Sequence, residues 1–177
     1  MKKKTLALVL ALTLLVAGVV GDTLAWLTDQ TAEVKNTFTV GDINIGLTET
    51  TADYKMVPGN TIAKDPTVTV KANSEACWLF VKVTESTDLK DFITYAIAEG
   101  WTALPGVDGV YYREVPASAA DQTFSVLAGD AVTVKSDVTR TMLETAKTDA
   151  PTLTFQAYAI QRDHFATADA AWAEVSK

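Results

Sequence analysis

A single histidine limits the chemistry open to this chain. His164 follows a strongly alternating segment, and the neighbouring Asp163 could supply a second metal ligand. A zinc site usually needs three or four His, Cys, Asp or Glu ligands, and the HExxH pattern is absent. No serine stands in a GxSxG turn, and no glycine cluster indicates an oxyanion hole. We therefore expect a solvated histidine at a strand end, and no enzyme activity, metal or cofactor.

The other reactive side chains give equally little support for catalysis. Cys77 is the only cysteine, so an intrachain disulfide is impossible. Because it opens the apolar run CWLFVKV, we expect a buried small hydrophobe, with an intermolecular disulfide or a reactive thiol as the alternative. The acidic pairs Asp88/Asp91 and Asp108/Glu114 could bind calcium, although carboxylates on loops are more often simply solvated. The sequence offers no catalytic constellation.

The first 25 residues have the pattern of a secretory signal peptide. Three lysines at positions 2–4 precede the uncharged stretch LALVLALTLLVAGVV, which has the length of a signal-peptide h-region. This stretch is shorter than the roughly 20 apolar residues that span a bilayer. Thr23 and Ala25 then place small residues where a signal peptidase reads them. We predict cleavage between Ala25 and Trp26, with an uncleaved membrane anchor as the alternative.

The mature chain would be strongly acidic. Of 15 basic and 22 acidic residues, three lysines and one aspartate precede residue 26, which leaves 12 and 21 and a net charge of −9. Nucleic-acid binding needs a cationic surface, so nucleic acid is excluded as a partner, and binding to anionic lipid is disfavoured. Contact with the membrane is expected only through the signal peptide before cleavage. Residues 26–177 show no repeat or composition shift, which favours one domain.

Period-two alternation dominates the mature chain and predicts β-strands. Val68 and Val70 share one face of PTVTVKAN. The run ACWLFVKVTE is apolar on both faces until Lys82, which favours a central strand. The segment PTLTFQAYAIQ also alternates, with Tyr158 and Ile160 on one side. The residues expected on its other side are Leu153, Phe155, Ala157 and Ala159.

Turn signals separate these strands. Pro58-Gly59 predicts a turn, and the Gly-Val-Asp-Gly segment at 106–109 predicts a loop leading into the strand VYYREV. Gly129-Asp130 predicts a hairpin that joins the strands QTFSVLAG and AVTVKSDV. About eight strands with few helices favour an all-β fold, a two-sheet antiparallel sandwich of jelly-roll type.

Helices are expected to be few and short. Residues 88–95 could form one, capped by Asp88, with Leu89, Phe92 and Ile93 inward. Residues 138–147 (VTRTMLETAK) are compatible with either strand or helix. Thr167 is placed to cap a short C-terminal helix, ADAAWAEV. The apolar residues that this helix would bury are Trp172 and Val175.

The N-terminal segment resembles the start of the TasA/camelysin family of secreted proteins, substrates of the SipW-type signal peptidase in Gram-positive bacteria. The similarity rests on the G-x-T-x-A pattern ending at Ala25, the aromatic Trp26, Thr28-Asp29, and the segment NTFTVG at 36–41. The alternating residues Ile43, Ile45 and Leu47 follow this segment. Pro58-Gly59 before a strand and AYAIQ followed by AW near the C-terminus also fit. The N-terminal similarity covers about 30 residues.

This resemblance implies a jelly-roll subunit of extracellular biofilm-matrix fibres. It also implies donor-strand exchange, in which residues 26–40 of one subunit complete a sheet of its neighbour. The apolar residues of this implied donor strand are Trp26, Leu27, Val34, Phe38 and Val40. The partner is then another copy of the chain, joined head to tail, or other matrix proteins. The segment could instead pair within its own subunit.

The sequence bears on two further functions. Camelysin-like proteins have been classed as metallopeptidases, but the lone His164 stands in no metal-ligand motif, so that activity is not carried over to this chain. A monomeric secreted binding module or adhesin would use the same sandwich and is the main alternative. The chain ends AEVSK without a sorting motif, so attachment to the cell surface would be non-covalent.

Overall fold

A computed structural model describes residues 41–50 and 54–177. The described residues all belong to one compact unit. The predicted signal peptide and its cleavage site at Ala25 and Trp26 lie outside the described residues. The predicted donor-strand residues Leu27, Val34, Phe38 and Val40 lie outside them as well.

Ten strands and three short α-helices are formed by the described residues. The strands are β1 (Ile45–Thr48), β2 (Thr61–Ala63), β3 (Thr67–Val70), β4 (Cys77–Glu85), β5 (Ile93–Thr94), β6 (Thr102–Ala103), β7 (Val110–Val115), β8 (Gln122–Ser125), β9 (Ala131–Val134) and β10 (Leu153–Gln161). The helices are α1 (Leu89–Phe92), α2 (Arg140–Ala146) and α3 (Ala168–Val175).

The strands form three antiparallel sheets, with the orders β1-β3-β8, β10-β4-β7-β6 and β2-β9-β5. The predicted all-β, sandwich-like fold with a short C-terminal helix is confirmed. The strands are divided among three sheets where the sequence predicted two. The jelly-roll order of the strands stays a prediction.

The main core lies between the β1-β3-β8 sheet and the inner face of the β10-β4-β7-β6 sheet. Val68 and Val70 point into it from β3, as predicted, and are at most 1% exposed. β4 supplies Leu79 and Val81, both fully buried. The alternate residue Phe80 is also fully buried, but on the opposite face, in a separate cluster with Trp78. β4 is therefore a central strand buried on both faces, as its sequence predicts.

Helix α3 covers the outer face of β4 and β10. The Thr167 hydroxyl accepts a hydrogen bond from the Ala170 amide at 3.3 Å, which confirms the predicted N-cap. Trp172 and Val175 pack there but are only half-buried. The Trp172 ring meets the Tyr158 ring edge-on, with centroids 5.2 Å apart. The two faces predicted for β10 are therefore correct.

A second core fills the space under the β2-β9-β5 sheet. Helix α1 buries Leu89 and Phe92 there, but it ends at Phe92, and Ile93 already belongs to β5. Asp88 precedes this helix without capping it through its side chain. The segment 138–147, which the sequence left open between strand and helix, contains helix α2. The Thr139 hydroxyl caps this helix by accepting a hydrogen bond from the Met142 amide, and the helix buries Ala146.

The hairpin predicted at Gly129-Asp130 is wrong. Both residues take the positive φ values that the turn prediction required, +64° and +49°. Both lie in a short 3₁₀ turn, Ala128–Asp130, which leads the chain from β8 in one sheet to β9 in another. Leu127, directly before the turn, is fully buried. Its burial in the second core redirects the chain, so β8 pairs with β3 rather than with β9.

Candidate functional site

His164 lies exposed in a short 3₁₀ turn, Arg162–His164, directly after β10. This confirms the prediction of a solvated histidine at a strand end. Its neighbour Asp163 is 3.6 Å from the guanidinium of Arg162. Within residues 41–50 and 54–177, no group of three or more His, Cys, Asp or Glu side chains is placed to hold a metal ion.

Cys77 is fully buried at the start of β4, as predicted. Burial raises the pKa of its thiol to about 11, because a thiolate is poorly stabilised away from water. The reactive form of a cysteine is the thiolate. The structure therefore places an unreactive thiol at this position.

Two of the four carboxylates in the acidic pairs that could bind calcium contact other side chains. Asp88 accepts a hydrogen bond from the Ser86 hydroxyl at 3.0 Å. Asp91 and Asp108 are exposed, and Glu114 lies 3.8 Å from the guanidinium of Arg162. Within the described ranges, no group of three or more possible metal ligands includes these carboxylates.

Strand β10 presents a nine-residue sheet edge. It pairs with β4 along its whole length, from Leu153 opposite Glu85 to Gln161 opposite Cys77. Among the described residues, β4 is its only strand partner. A strand paired on one side leaves a row of backbone N–H and C=O groups on the other, and such an edge can template another strand.

The inner face of β10 is apolar but incompletely covered. Phe155, Ala157 and Ala159 are half-buried, whereas Val81 and Leu79, their neighbours on β4, are fully buried. β1, which is the edge strand of the facing sheet, lies close to β10. Its residue Ile45 is likewise half-buried on the same core. We call this side of the sandwich the β1–β10 edge.

The opposite side of the sandwich, formed by β6, β7 and β8 and called the β6–β8 edge, is closed by side chains. Arg113 points inward from β7, and its guanidinium carbon lies 3.9 Å from the centre of the Phe124 ring on β8. Desolvation lowers the pKa of Arg113. The Trp101 indole donates to the Ser125 carbonyl oxygen at 2.9 Å. An inward-pointing charge and an occupied backbone carbonyl are features that protect a sheet edge from further pairing.

A cavity of about 440 Å³ lies at the start of β10. Leu153 and Thr154 of β10 form part of its wall, and most of the remaining wall is apolar. Lys64 also lines it and is only 7% exposed. Its ammonium lies 2.5 Å from a carboxylate oxygen of Glu49, so the buried charge is paired. We call this space the β10 cavity.

Sequence patterns predicted neither the role of Arg113 at the β6–β8 edge nor the role of Lys64 in the β10 cavity. Arg113 was detectable in principle, because it alternates in VYYREV with Tyr111 and Val115, which face the main core. A charge at an inward position of a strand is an exception to the binary pattern. Lys64 has no comparable signal, because its burial depends on Glu49 and on the distant strand β10.

No helix within the described ranges has the length and apolar character needed to cross a membrane. No protein-family model, no curated protein and no solved structure matches this chain. The described residues form an all-β, sandwich-like protein. One lateral edge of the sandwich is closed by side chains, and the other presents the long strand β10.

Proposed function

We propose that this chain is a secreted structural subunit of extracellular matrix fibres that assembles by N-terminal donor-strand exchange. In this proposal, residues 26–40 of one subunit pair with the β1–β10 edge of the next. The observation that carries the proposal is strand β10, whose nine residues have only β4 as a strand partner among the described residues. The resemblance of the N-terminal segment to the TasA/camelysin family supports the same function.

Backbone geometry and side-chain chemistry both suit an added strand at this edge. A strand lying beside β10 would satisfy its outward N–H and C=O groups. It would also cover the half-buried side chains of Phe155 and Ala157. The alternate donor residues Thr28, Ala32 and Val34 carry no charge and could supply that cover from one face. Main-chain pairing would give affinity, and the apolar face would give register.

The difference between the two edges supports a directional assembly. The β6–β8 edge is closed by the stacked Arg113 and by the Trp101 indole, so within the sandwich pairing is favoured at the β1–β10 edge over the β6–β8 edge. Each subunit would then have one donor segment and one acceptor edge. Head-to-tail contacts of this kind do not close on themselves and produce filaments rather than closed dimers.

Cleavage of the predicted signal peptide would control when assembly begins. Before cleavage after Ala25, the apolar h-region would hold the adjoining segment at the membrane. Cleavage by a signal peptidase would free Trp26 and the residues that follow it. The subunit would then act in the extracellular matrix or at the cell surface, attached non-covalently.

The proposal is tested with two purified chains, one beginning at Trp26 and one that lacks residues 26–36. We expect filaments from the first by negative-stain electron microscopy and a monomer from the second by sedimentation. Near-identical circular dichroism spectra would show that both chains are folded. Filaments from the shortened chain would contradict the proposal. A folded first chain that stays monomeric at all concentrations would favour the alternative, a secreted binding module or adhesin.

A further inference from the structure

We infer that the β10 cavity binds the indole of Trp26 from the neighbouring subunit and thereby sets the direction and register of the donated strand. This inference rests on the proposed function. It goes further, because it assigns one side chain of the donor to one site of the acceptor.

The position of the cavity makes it part of the acceptor edge. Leu153 and Thr154 are the first two residues of β10, and both also line the cavity. A strand lying along β10 would therefore end beside the cavity mouth. A bulky side chain at the end of that strand could enter the cavity while the rest of the strand forms backbone hydrogen bonds with β10.

The wall chemistry fits an aromatic side chain. Leu89, Ile93 and Val132 are buried hydrophobic residues of the second core and form much of the wall. Thr152 and Thr154 belong to the same wall, and a threonine hydroxyl can accept a hydrogen bond from an indole N–H. An apolar cavity with a few polar groups is the usual form of a binding pocket, and 440 Å³ is within the usual size range.

Lys64 adds a preference for tryptophan. Its ammonium lies 4.6 Å from the centre of the Tyr54 ring and 5.4 Å from the centre of the Phe155 ring. The buried ammonium is therefore already surrounded by aromatic faces on two sides. Tryptophan is the strongest cation–π partner among the side chains. An indole entering the cavity would add a third ring to this arrangement.

Trp26 is the one residue of segment 26–40 that combines these properties. It is the only tryptophan there and the first residue after the predicted cleavage site. With Trp26 beside Leu153, residues 26–34 would run parallel to Leu153–Gln161, nine residues beside nine. The opposite direction would place Phe38 near the cavity instead. Binding of Trp26 in the β10 cavity therefore requires the donor strand to run parallel to β10.

The test compares single substitutions in the chain beginning at Trp26, with the critical concentration for filament formation as the measurement. We expect Trp26→Ala to raise it about 30-fold, the typical effect of losing a buried aromatic anchor. Trp26→Phe should restore most of the assembly, because phenylalanine also fills the cavity and contacts Lys64. Leu27→Ala is the matched control. Its side chain would point to the other face of the strand, and we expect less than about a threefold change.

Fluorescence provides the second measurement. Burial of the Trp26 indole should shift emission to shorter wavelength and reduce quenching by acrylamide on assembly, and Trp26→Phe should remove both changes. Normal assembly of Trp26→Ala overturns the inference and leaves the proposed function standing. A larger effect from Phe38→Ala than from Trp26→Ala also overturns it, because the strand would then run antiparallel. If the unaltered chain forms no filaments, both proposals fail.

Discussion

Replacing Ala157 by glutamate tests whether the β1–β10 edge accepts a strand. Ala157 lies on the inner face of β10, opposite Val81 of β4, and is half-buried. In the isolated subunit, the new carboxylate can reach water past the edge. In the filament, the added strand would cover it and leave a buried charge with no partner.

The structure allows the size of this effect to be worked out. A nine-residue edge directs about eight to ten backbone hydrogen-bonding groups outward. At about 1 kcal/mol net for each bond, the added strand gains about 8 kcal/mol before association costs. An unpaired buried carboxylate costs several kcal/mol. A loss of about 3 kcal/mol would raise the critical concentration about 100-fold.

Gln156→Glu is the matched control for this substitution. It adds the same charge to the same strand, but Gln156 is exposed on the outer face and lies opposite Lys82. We expect filaments from Gln156→Glu at close to the normal concentration, measured by light scattering and confirmed by negative-stain microscopy. Thermal unfolding of both monomers should differ by no more than about 5 °C. Equal assembly by the two variants would refute the assignment of β10 as the acceptor strand.

Three further predictions concern the subunit itself. Arg113→Met should raise the free energy of unfolding, measured in urea, by about 1 kcal/mol, because it removes an Nε that is buried without a hydrogen-bond partner among the described residues and keeps a side chain on the aromatic face. Arg113→Ala should lower the free energy of unfolding by about 2 kcal/mol, and equal effects of the two substitutions would contradict this account. Gly109→Ala should lower the free energy of unfolding by about 3 kcal/mol or more, because a Cβ there would collide with the Val83 carbonyl oxygen. Gly106 has a similar positive φ but no atom within 4 Å of the position of an added Cβ, so Gly106→Ala should lower the same free energy by only about 1 kcal/mol. Burial raises the pKa of Cys77 from 9.0 to about 11, so the unfolded chain loses this proton first and folding stability should fall as pH rises above 9. Thiol labelling at pH 8 should require unfolding, and rapid labelling of the native protein would show that the thiol is accessible.

The local signals in the sequence determined much of the strand structure. The alternation in PTLTFQAYAIQ correctly predicted both faces of β10, because side chains of a strand alternate regardless of which strand lies beside it. The apolar run from Cys77 correctly predicted a central strand, because such a run can be buried only with sheets or helices on both faces. The Thr167 cap was also predictable, since the bond spans three residues.

Tertiary structure decided which strands pair and which edge remains. Gly129-Asp130 has the backbone conformation of a turn, but burial of Leu127 sends β8 and β9 into different sheets. Arg113 closes one edge only because Phe124 is brought beside it, and the wall of the β10 cavity joins Lys64 to Leu153 of the distant strand β10. Such contacts join residues far apart in the chain. Local conformational preference fixes the shape of each strand, whereas its neighbours depend on how all the apolar faces are buried together.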